Sequence, residues 1–187
     1  AGRAGGHGAD ARHARGQVNA SPVLHTLEPV WNESSRVLIL GTMPSPKSRE
    51  TGFYYGHPQN RFWRVMADLF GEPFPPAPAQ RRELVLRRGI ALWDVLASCV
   101  IRGADDASIR EPKPNDIGAL LHAAPIRAVF TTGKKAFSLY SKLCLPQTGM
   151  QAVSLPSTSA ANCRLPYDAL LEAYRAILPF LEGSRLS

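Results

Sequence analysis

Two loops carry the residues best suited to chemistry. The first reads Gly41-Thr42-Met43-Pro44-Ser45-Pro46-Lys47-Ser48 and continues, after a short gap, as Gly52-Phe53-Tyr54-Tyr55-Gly56-His57-Pro58-Gln59-Asn60-Arg61-Phe62-Trp63. Its first glycine lets backbone approach a ligand closely, and its prolines stiffen the path. Three successive aromatics offer faces for planar heterocycles, a stacking worth about 1–3 kcal/mol per nucleobase. The same rings suit a hydrophobic core, above all Phe62 and Trp63, which open a helical pattern. The second loop, Leu155-Pro156-Ser157-Thr158-Ser159-Ala160-Ala161-Asn162, sets hydroxyls just before an expected helix. Hydroxyls and N–H groups at a helix start can grip phosphates, and they can equally serve as ordinary caps. Between the two lie Leu92-Trp93-Asp94-Val95-Leu96 and Phe130-Thr131-Thr132-Gly133-Lys134-Lys135-Ala136. Ionised, Asp94 only accepts hydrogen bonds, which fits either the N–H edge of a ligand or a cap.

Each of these segments follows a short apolar run. Arg36–Leu40, Gly89–Trp93, Arg127–Phe130 and Met150–Leu155 read as strands buried on both faces. Helical periodicity is expected over Asn60–Phe70, Ala79–Arg88, Asn115–His122, Lys134–Leu143 and Tyr167–Leu181. Strands alternating with helices pair in parallel through right-handed crossovers. In such open sheets the ligand site lies at the carboxyl ends of the strands, where all four segments fall.

Lys and Arg outnumber Asp and Glu by 22 to 15 in this chain of 187 residues. Such an excess suits a polyanionic partner, or simply a soluble surface. No apolar run approaches the ~20 residues that span a bilayer, so a cytoplasmic protein, nucleoid-associated in a prokaryote, is expected. Cys99, Cys144 and Cys163 lack paired spacing and are expected to be reduced and structural rather than metal ligands. Residues 1–20, rich in Gly, Ala and Arg, read as a disordered tail or cloning remnant. Residues 21–187 read as one domain, expected to be monomeric, with no internal repeat.

The pattern Gly-x-x-Pro-Ser, then Gly-Phe-x-Tyr-x-His-Pro-x-Asn-Arg-Phe-Trp, resembles the first motif of the mismatch-specific uracil glycosylases. It is similar still more closely to that of their hypoxanthine-DNA glycosylase (DNA-deoxyinosine glycosylase) relatives in the uracil-DNA glycosylase superfamily. The Leu155–Asn162 loop resembles the second superfamily motif, and the likeness spans residues 34–180 in order. It implies an α/β fold, a three-layer αβα sandwich around a mostly parallel four-stranded sheet. It implies a monofunctional DNA glycosylase that flips a deaminated base from single- or double-stranded DNA and hydrolyses its N-glycosidic bond in base excision repair. Hypoxanthine is the favoured lesion, uracil a possible one, and no cofactor or metal is expected.

The resemblance also implies roles. Tyr55 falls where the family has the ring that stacks on the extruded base, with Phe53 and Thr132 beside it. Asp94 falls where uracil glycosylases place an asparagine that reads the base edge. Hypoxanthine offers an N1–H donor beside its O6 acceptor, so Asp94 would take the N1–H while backbone N–H groups near Thr42–Met43 donate to O6. Ser45, Lys47, His57, Ser157, Thr158, Ser159, Asn162 and Arg164 are the expected DNA contacts, with Arg61 another backbone contact.

Two departures stand out. Many superfamily members hold the hydrolytic water with Asp or Asn two residues after the first-motif glycine, and here that position is Met43. In the hypoxanthine-type relatives an asparagine of the Asn-Arg-Phe-Trp element contributes instead; here it is Asn60, which would hold water by donor and acceptor together. Thr132 stands where those relatives tend to have asparagine. A damage- or mismatch-binding protein of the same fold with little or no catalysis is the alternative that Met43 keeps open. A nucleotide-binding regulatory domain is weakened by the absence of G-x-G-x-x-G and G-x-x-x-x-G-K-[ST]. No lysine has an evident reason to form a Schiff base, which favours base removal without strand cleavage.

Overall fold

The computed structural model describes residues 21–183; the tail expected over residues 1–20 lies outside them. A parallel sheet carries the site. Its strands are β2 (Val37–Gly41), β3 (Ile90–Asp94), β6 (Ala128–Thr132) and β7 (Ala152–Leu155), in the order β3-β2-β6-β7. Every neighbouring pair is parallel. Alternating residues of β2 face opposite layers, as the two-residue period of a strand requires. Val37 and Ile39 pack with Phe62, Trp63, Val65, Leu84, Leu170 and Tyr174, whereas Leu38 and Leu40 pack with Ile117, Leu120, Leu139 and Tyr140. One layer thus holds α2 (Phe62–Phe70), α3 (Pro78–Arg87) and α7 (Tyr167–Tyr174). The other holds α4 (Ile117–Ala123) and α5 (Lys134–Leu143). This is the expected three-layer sandwich.

Strand boundaries differ from the sequence reading by a residue or two, and the shift matters. It draws Gly41, Asp94 and Thr132 onto the last positions of their strands, where backbone pairing sets their directions. After β2 the chain adds β3 on one side, then crosses to add β6 and β7 on the other. The ends of β2 and β6 therefore flank the switch point at which α/β sheets open a crevice.

A second sheet is absent from the sequence reading. It is antiparallel, in the order β1-β4-β5, from β1 (Val23–Leu24), β4 (Leu96–Arg102) and β5 (Asp105–Pro114). Register shifts interrupt the β4–β5 pairing, and β5 is polar and largely exposed, so its hydrophobic pattern is faint. Short helices α1 (Pro46–Thr51) and α6 (Leu145–Thr148) also went unread, since each spans only about a turn and a half or less. The long final helix is a correction. Tyr167–Leu181 divides into α7, a 3-10 turn at Arg175–Ile177 and α8 (Leu178–Leu181), with Pro179 unable to donate a helical N–H inside the last piece.

Fastenings to the core place the site loops. Buried Trp63 donates its Nε1–H to the Tyr54 carbonyl at 2.9 Å. Tyr174, also fully buried, donates to the Pro156 carbonyl at 2.8 Å. Trp63→Phe keeps most of the apolar area but leaves the Tyr54 carbonyl without its donor. We expect a loss of about 1–3 kcal/mol in urea unfolding, the usual cost of orphaning a buried polar group.

Candidate functional site

The parallel register sets Gly41 beside Asp94. A Cβ placed on Gly41 would lie 2.5 Å from Asp94 Oδ1 and 3.6 Å from both Thr132 Oγ1 and Tyr55 Oη. Three polar atoms, delivered by β3, β6 and the aromatic loop, thus converge on the space that glycine leaves empty. That space is the floor of a cleft of about 130 Å³, whose walls include Thr42, Met43, Ser45, Asn60, Asp106 and the segment Ser157–Ser159.

Asp94 is buried, and an isolated buried carboxylate is costly. The partner is His25, which the sequence reading missed: its Nε2 lies 2.8 Å from Asp94 Oδ2, with the two side chains 3% and 5% exposed. The contact leaves Oδ1 facing the cleft floor. Asn115 steadies the strand end by donating its Nδ2–H to the Asp94 and Leu96 carbonyls.

Tyr55 adopts φ +53°, a left-handed conformation rare for a residue with a Cβ. Its ring stacks on Phe62 with centroids 3.9 Å apart and planes 15° from parallel. Its hydroxyl is buried without a hydrogen-bond partner, the Thr132 hydroxyl lying near but not aligned. Burial, and after it the charge of Asp94, pushes the phenol well above its ordinary pKa. Tyr55 therefore stays protonated, a donor aimed at the floor.

The loop around these groups is held by local bonds. Ser45 caps α1 by accepting from the Ser48 N–H, and donates to the Ser48 hydroxyl. Ser48 Oγ in turn accepts from the Gly56 N–H at 3.0 Å. Asn60 accepts the Phe62 N–H on its Oδ1 at 2.9 Å. Asn60 thus steadies the start of α2, and its NH₂, unbonded among the described residues, is left for the cleft. Met43 packs against the core layer under the cleft and brings no polar group. Thr42, nearly buried, donates its hydroxyl to Asp106 Oδ2 at 3.3 Å. Asp106 comes from the unforeseen β4–β5 hairpin. The only sequence signal for it is the turn-like Gly103-Ala104-Asp105-Asp106.

The expected site residues divide. Tyr55, Asp94, Thr132, Thr42, Met43, Asn60, Ser45, Ser157, Thr158 and Ser159 meet at the cleft. Phe53 does not, which corrects its assignment to base binding: it is 9% exposed, stacks on Trp63 and packs into the core on the far side of the loop. Lys47 lies outside the cleft beside Glu50, 3.5 Å away. His57 is exposed on a turn, accepting the Gln59 N–H. Arg61 turns inward, donating to the Leu165 and Asn162 carbonyls at 2.7 and 2.9 Å, so it fastens a loop rather than facing outward.

The serine loop precedes a one-turn 3-10 segment, Ala160–Asn162, and not the final helix as expected. Ser159 Oγ accepts the Ala161 N–H and Ser157 Oγ the Ser159 N–H, so both act as caps while keeping a hydroxyl hydrogen to donate. Asn162 donates to the Ser157 carbonyl, and Arg164 is exposed beyond it. A second groove of about 760 Å³ continues from the cleft past Gly133, Lys134, Lys135, Ser157 and Asn162. Cys99 and Cys144 are buried, whereas Cys163 is exposed on this loop. No helix among the described residues is long and apolar enough to cross a membrane.

Comparison with known proteins agrees with the motifs. The profile of the Uracil DNA glycosylase superfamily matches residues 29–178. A hypoxanthine DNA glycosylase of Methanosarcina barkeri is 36% identical over 138 residues, 73% of this chain and 86% of the relative. Its namesake in Methanosarcina acetivorans is 34% identical over 137 residues, 72% and 85% of the two chains. Among solved structures, the solution NMR structure of a Methanosarcina acetivorans protein described as a candidate uracil DNA glycosylase aligns with a TM-score of 0.73. It is 30% identical, across 86% of this chain and 99% of that one. With the profile covering most of the chain, the protein belongs to the uracil DNA glycosylase superfamily.

Proposed function

We propose that this DNA glycosylase removes hypoxanthine from DNA in preference to uracil, reading the base at the floor marked by Gly41. The observation that carries the reading is the convergence of Asp94 Oδ1, Tyr55 Oη and Thr132 Oγ1 on one small space. Asp94, with Oδ2 taken by His25, presents one acceptor to the N1–H of hypoxanthine. Tyr55, Thr132 and backbone N–H groups near Thr42–Met43 supply donors for O6. Adenine is rejected because its unprotonated N1 would face the carboxylate. Uracil also has an N–H, but a carbonyl flanks it on each side, so it needs donors on both sides of Asp94 where hypoxanthine needs them on one. The names of the two Methanosarcina relatives support the same lesion.

In this reading the nucleotide is flipped into the cleft, and its ring lies against Tyr55. The free hydroxyl hydrogens of Ser157 and Ser159, with Asn162 and Arg164, hold the strand; Thr158, expected as a further contact, is 1% exposed and stands behind them. Lys134 and Lys135 line the adjoining groove and offer charge to the next phosphates. Ser45, Lys47 and His57 contact backbone at the other rim. The base leaves as a stabilised anion while water attacks the oxocarbenium-like sugar. Asn60, whose oxygen accepts the Phe62 N–H, donates an N–H to the oxygen of that water. No lysine enters the chemistry, so the product is an intact abasic strand.

Three outcomes test the reading. Single-turnover assays on duplexes carrying one hypoxanthine or one uracil should give faster loss of hypoxanthine, with breaks only after alkali; faster uracil loss would overturn the lesion assignment. Asp94→Asn replaces a charge-assisted acceptor by a neutral one and should slow hypoxanthine excision by about 10-fold or more, for a bond worth about 1.5–3 kcal/mol. Unchanged kinetics would remove its role. Asn60→Asp keeps the acceptor for Phe62 but removes the N–H donors, so excision should fall while the melting temperature holds; a parallel fall in both would reduce Asn60 to a helix cap.

A further inference from the structure

Hydrolysis needs two things from the groups around the attacking water: something to place its oxygen and something to accept its proton. Met43 supplies neither, since a thioether is at best a weak acceptor. Asn60 accepts the Phe62 N–H on its carbonyl oxygen, and a neutral amide is in any case too weak a base to take a proton from water. Asp94 has Oδ2 bound by His25 and Oδ1 at the floor, where the base edge lies. One carboxylate on the cleft wall remains, Asp106.

The local fold aims it there. β4 and β5 join at Gly103 (φ +57°), with Arg102 paired to Asp105. Asp105 turns away and binds its own loop: its carboxylate accepts the Ala107 N–H, and its carbonyl accepts from Ser108, whose oxygen accepts the Arg102 N–H. Asp106, next in the chain, is directed to the opposite side. There the Thr42 hydroxyl, one residue past the end of β2, donates to its Oδ2. Oδ1 has no protein partner among the described residues and is left for a ligand.

We propose that Asp106 accepts the proton of the hydrolytic water, taking over the task that the Met43 position cannot perform, with Thr42 as its positioning residue. The proposal rests on the reading that Asn60 donates to that water. As the water oxygen bonds to C1′ of the sugar, the C1′–N bond breaks and its electron pair leaves with the base. One water proton passes to Asp106 and the other stays on the new anomeric hydroxyl. Asp106 then returns its proton to solvent, and the departing base anion takes one up from solvent. Atoms and charge balance with no further reactant.

The charges facing Asp106 suit a base. Asp106 keeps an edge exposed to solvent, yet partial desolvation against the cleft wall raises its carboxyl above the usual carboxylate range, and Asp105 beside it and Asp94 on β3 add in the same direction. The Thr42 hydroxyl and Lys135 on α5 oppose them. Cys99 on β4 also faces Asp106, and that neighbouring charge, with burial, holds the thiol above its ordinary value and so uncharged. A carboxylate nearer neutrality is a stronger proton acceptor at working pH than an ordinary one.

The test is single-turnover excision of both hypoxanthine and uracil across pH by wild type, Asp106→Asn and Asp106→Glu, with binding to undamaged duplex measured in parallel. Asp106→Asn should lose about 100-fold or more in rate, the usual scale of general base catalysis. DNA should bind as well or tighter, because a negative charge has left the cleft. Wild-type rate should fall as pH drops through the raised carboxyl, at higher pH than an ordinary carboxylate would give, and Asp106→Asn should lack that limb. Asp106→Glu, keeping the carboxylate, should recover part of the rate. A rate within about 3-fold of wild type would overturn the assignment, as would an unchanged acidic limb. The same holds for equal losses in rate and binding. Faster uracil than hypoxanthine in wild type would sink the lesion reading alone, because the Asp106 comparison is then read on uracil.

Discussion

The pairing of Gly41 with Asp94 across two buried parallel strands sets the position of everything else at this site. Parallel register points the Asp94 side chain over β2, and only a residue without a Cβ can stand beneath it. The buried carboxylate then requires a partner, because desolvation of an unpaired ion costs several kcal/mol. His25, on a segment held against β4 by β1, meets that requirement without filling the cleft. The pocket is thus a consequence of one missing side chain, one buried charge and the imidazole that makes the charge tolerable.

Around this floor, rigidity comes from side chains bonded to backbone. Trp63 holds Tyr54, the Tyr54 hydroxyl in turn donates to the Glu28 carbonyl, and Ser48 holds Gly56. Together these keep Tyr55 in its left-handed conformation, a strain of about 1–3 kcal/mol that persists only where neighbours over-determine it. On the far rim Arg61 clamps the Asn162–Leu165 loop, and its own N–H donates to the Thr158 carbonyl. The two motif loops are therefore tied directly to one another, so a base and its flanking phosphates meet a site already arranged. Preorganised dipoles of this kind stabilise developing charge without reorganising during the reaction.

The position two residues after Gly41 adds no polar side chain to the cleft. Met43 closes the wall with apolar surface, while Asn60 before α2 and Asp106 at the tip of the β4–β5 hairpin bring polar groups to the cleft. A hairpin packed on one edge of a sandwich can bring a carboxylate to a cleft without disturbing the sheet beneath it. The sheet thereby keeps its cleft polar with an apolar residue, Met43, in the wall.

Local pattern alone determined much of this protein. Runs such as Val37–Leu40 and Ala128–Phe130 are apolar at every position because both faces of the sheet are covered, and that is visible in any short window. The order of strands and helices and the loops that follow them come from the same reading, whereas the roles of Tyr55, Asp94, Thr132, Asn60 and Ser157 came from the resemblance of those loops to the glycosylase motifs. Tertiary structure alone decided the partners. His25 meets Asp94 across 69 positions of chain, and no local signal marks a single histidine between Leu24 and Leu27. Asp106 reaches Thr42 through a bulged, mostly polar hairpin whose weak alternation hides its strands. Of neighbouring rings, Phe53 went to the core and Tyr55, itself in the left-handed conformation, to the cleft. Periodicity records which face of an element is buried; it does not record which distant group completes a buried charge, and that completion built this site.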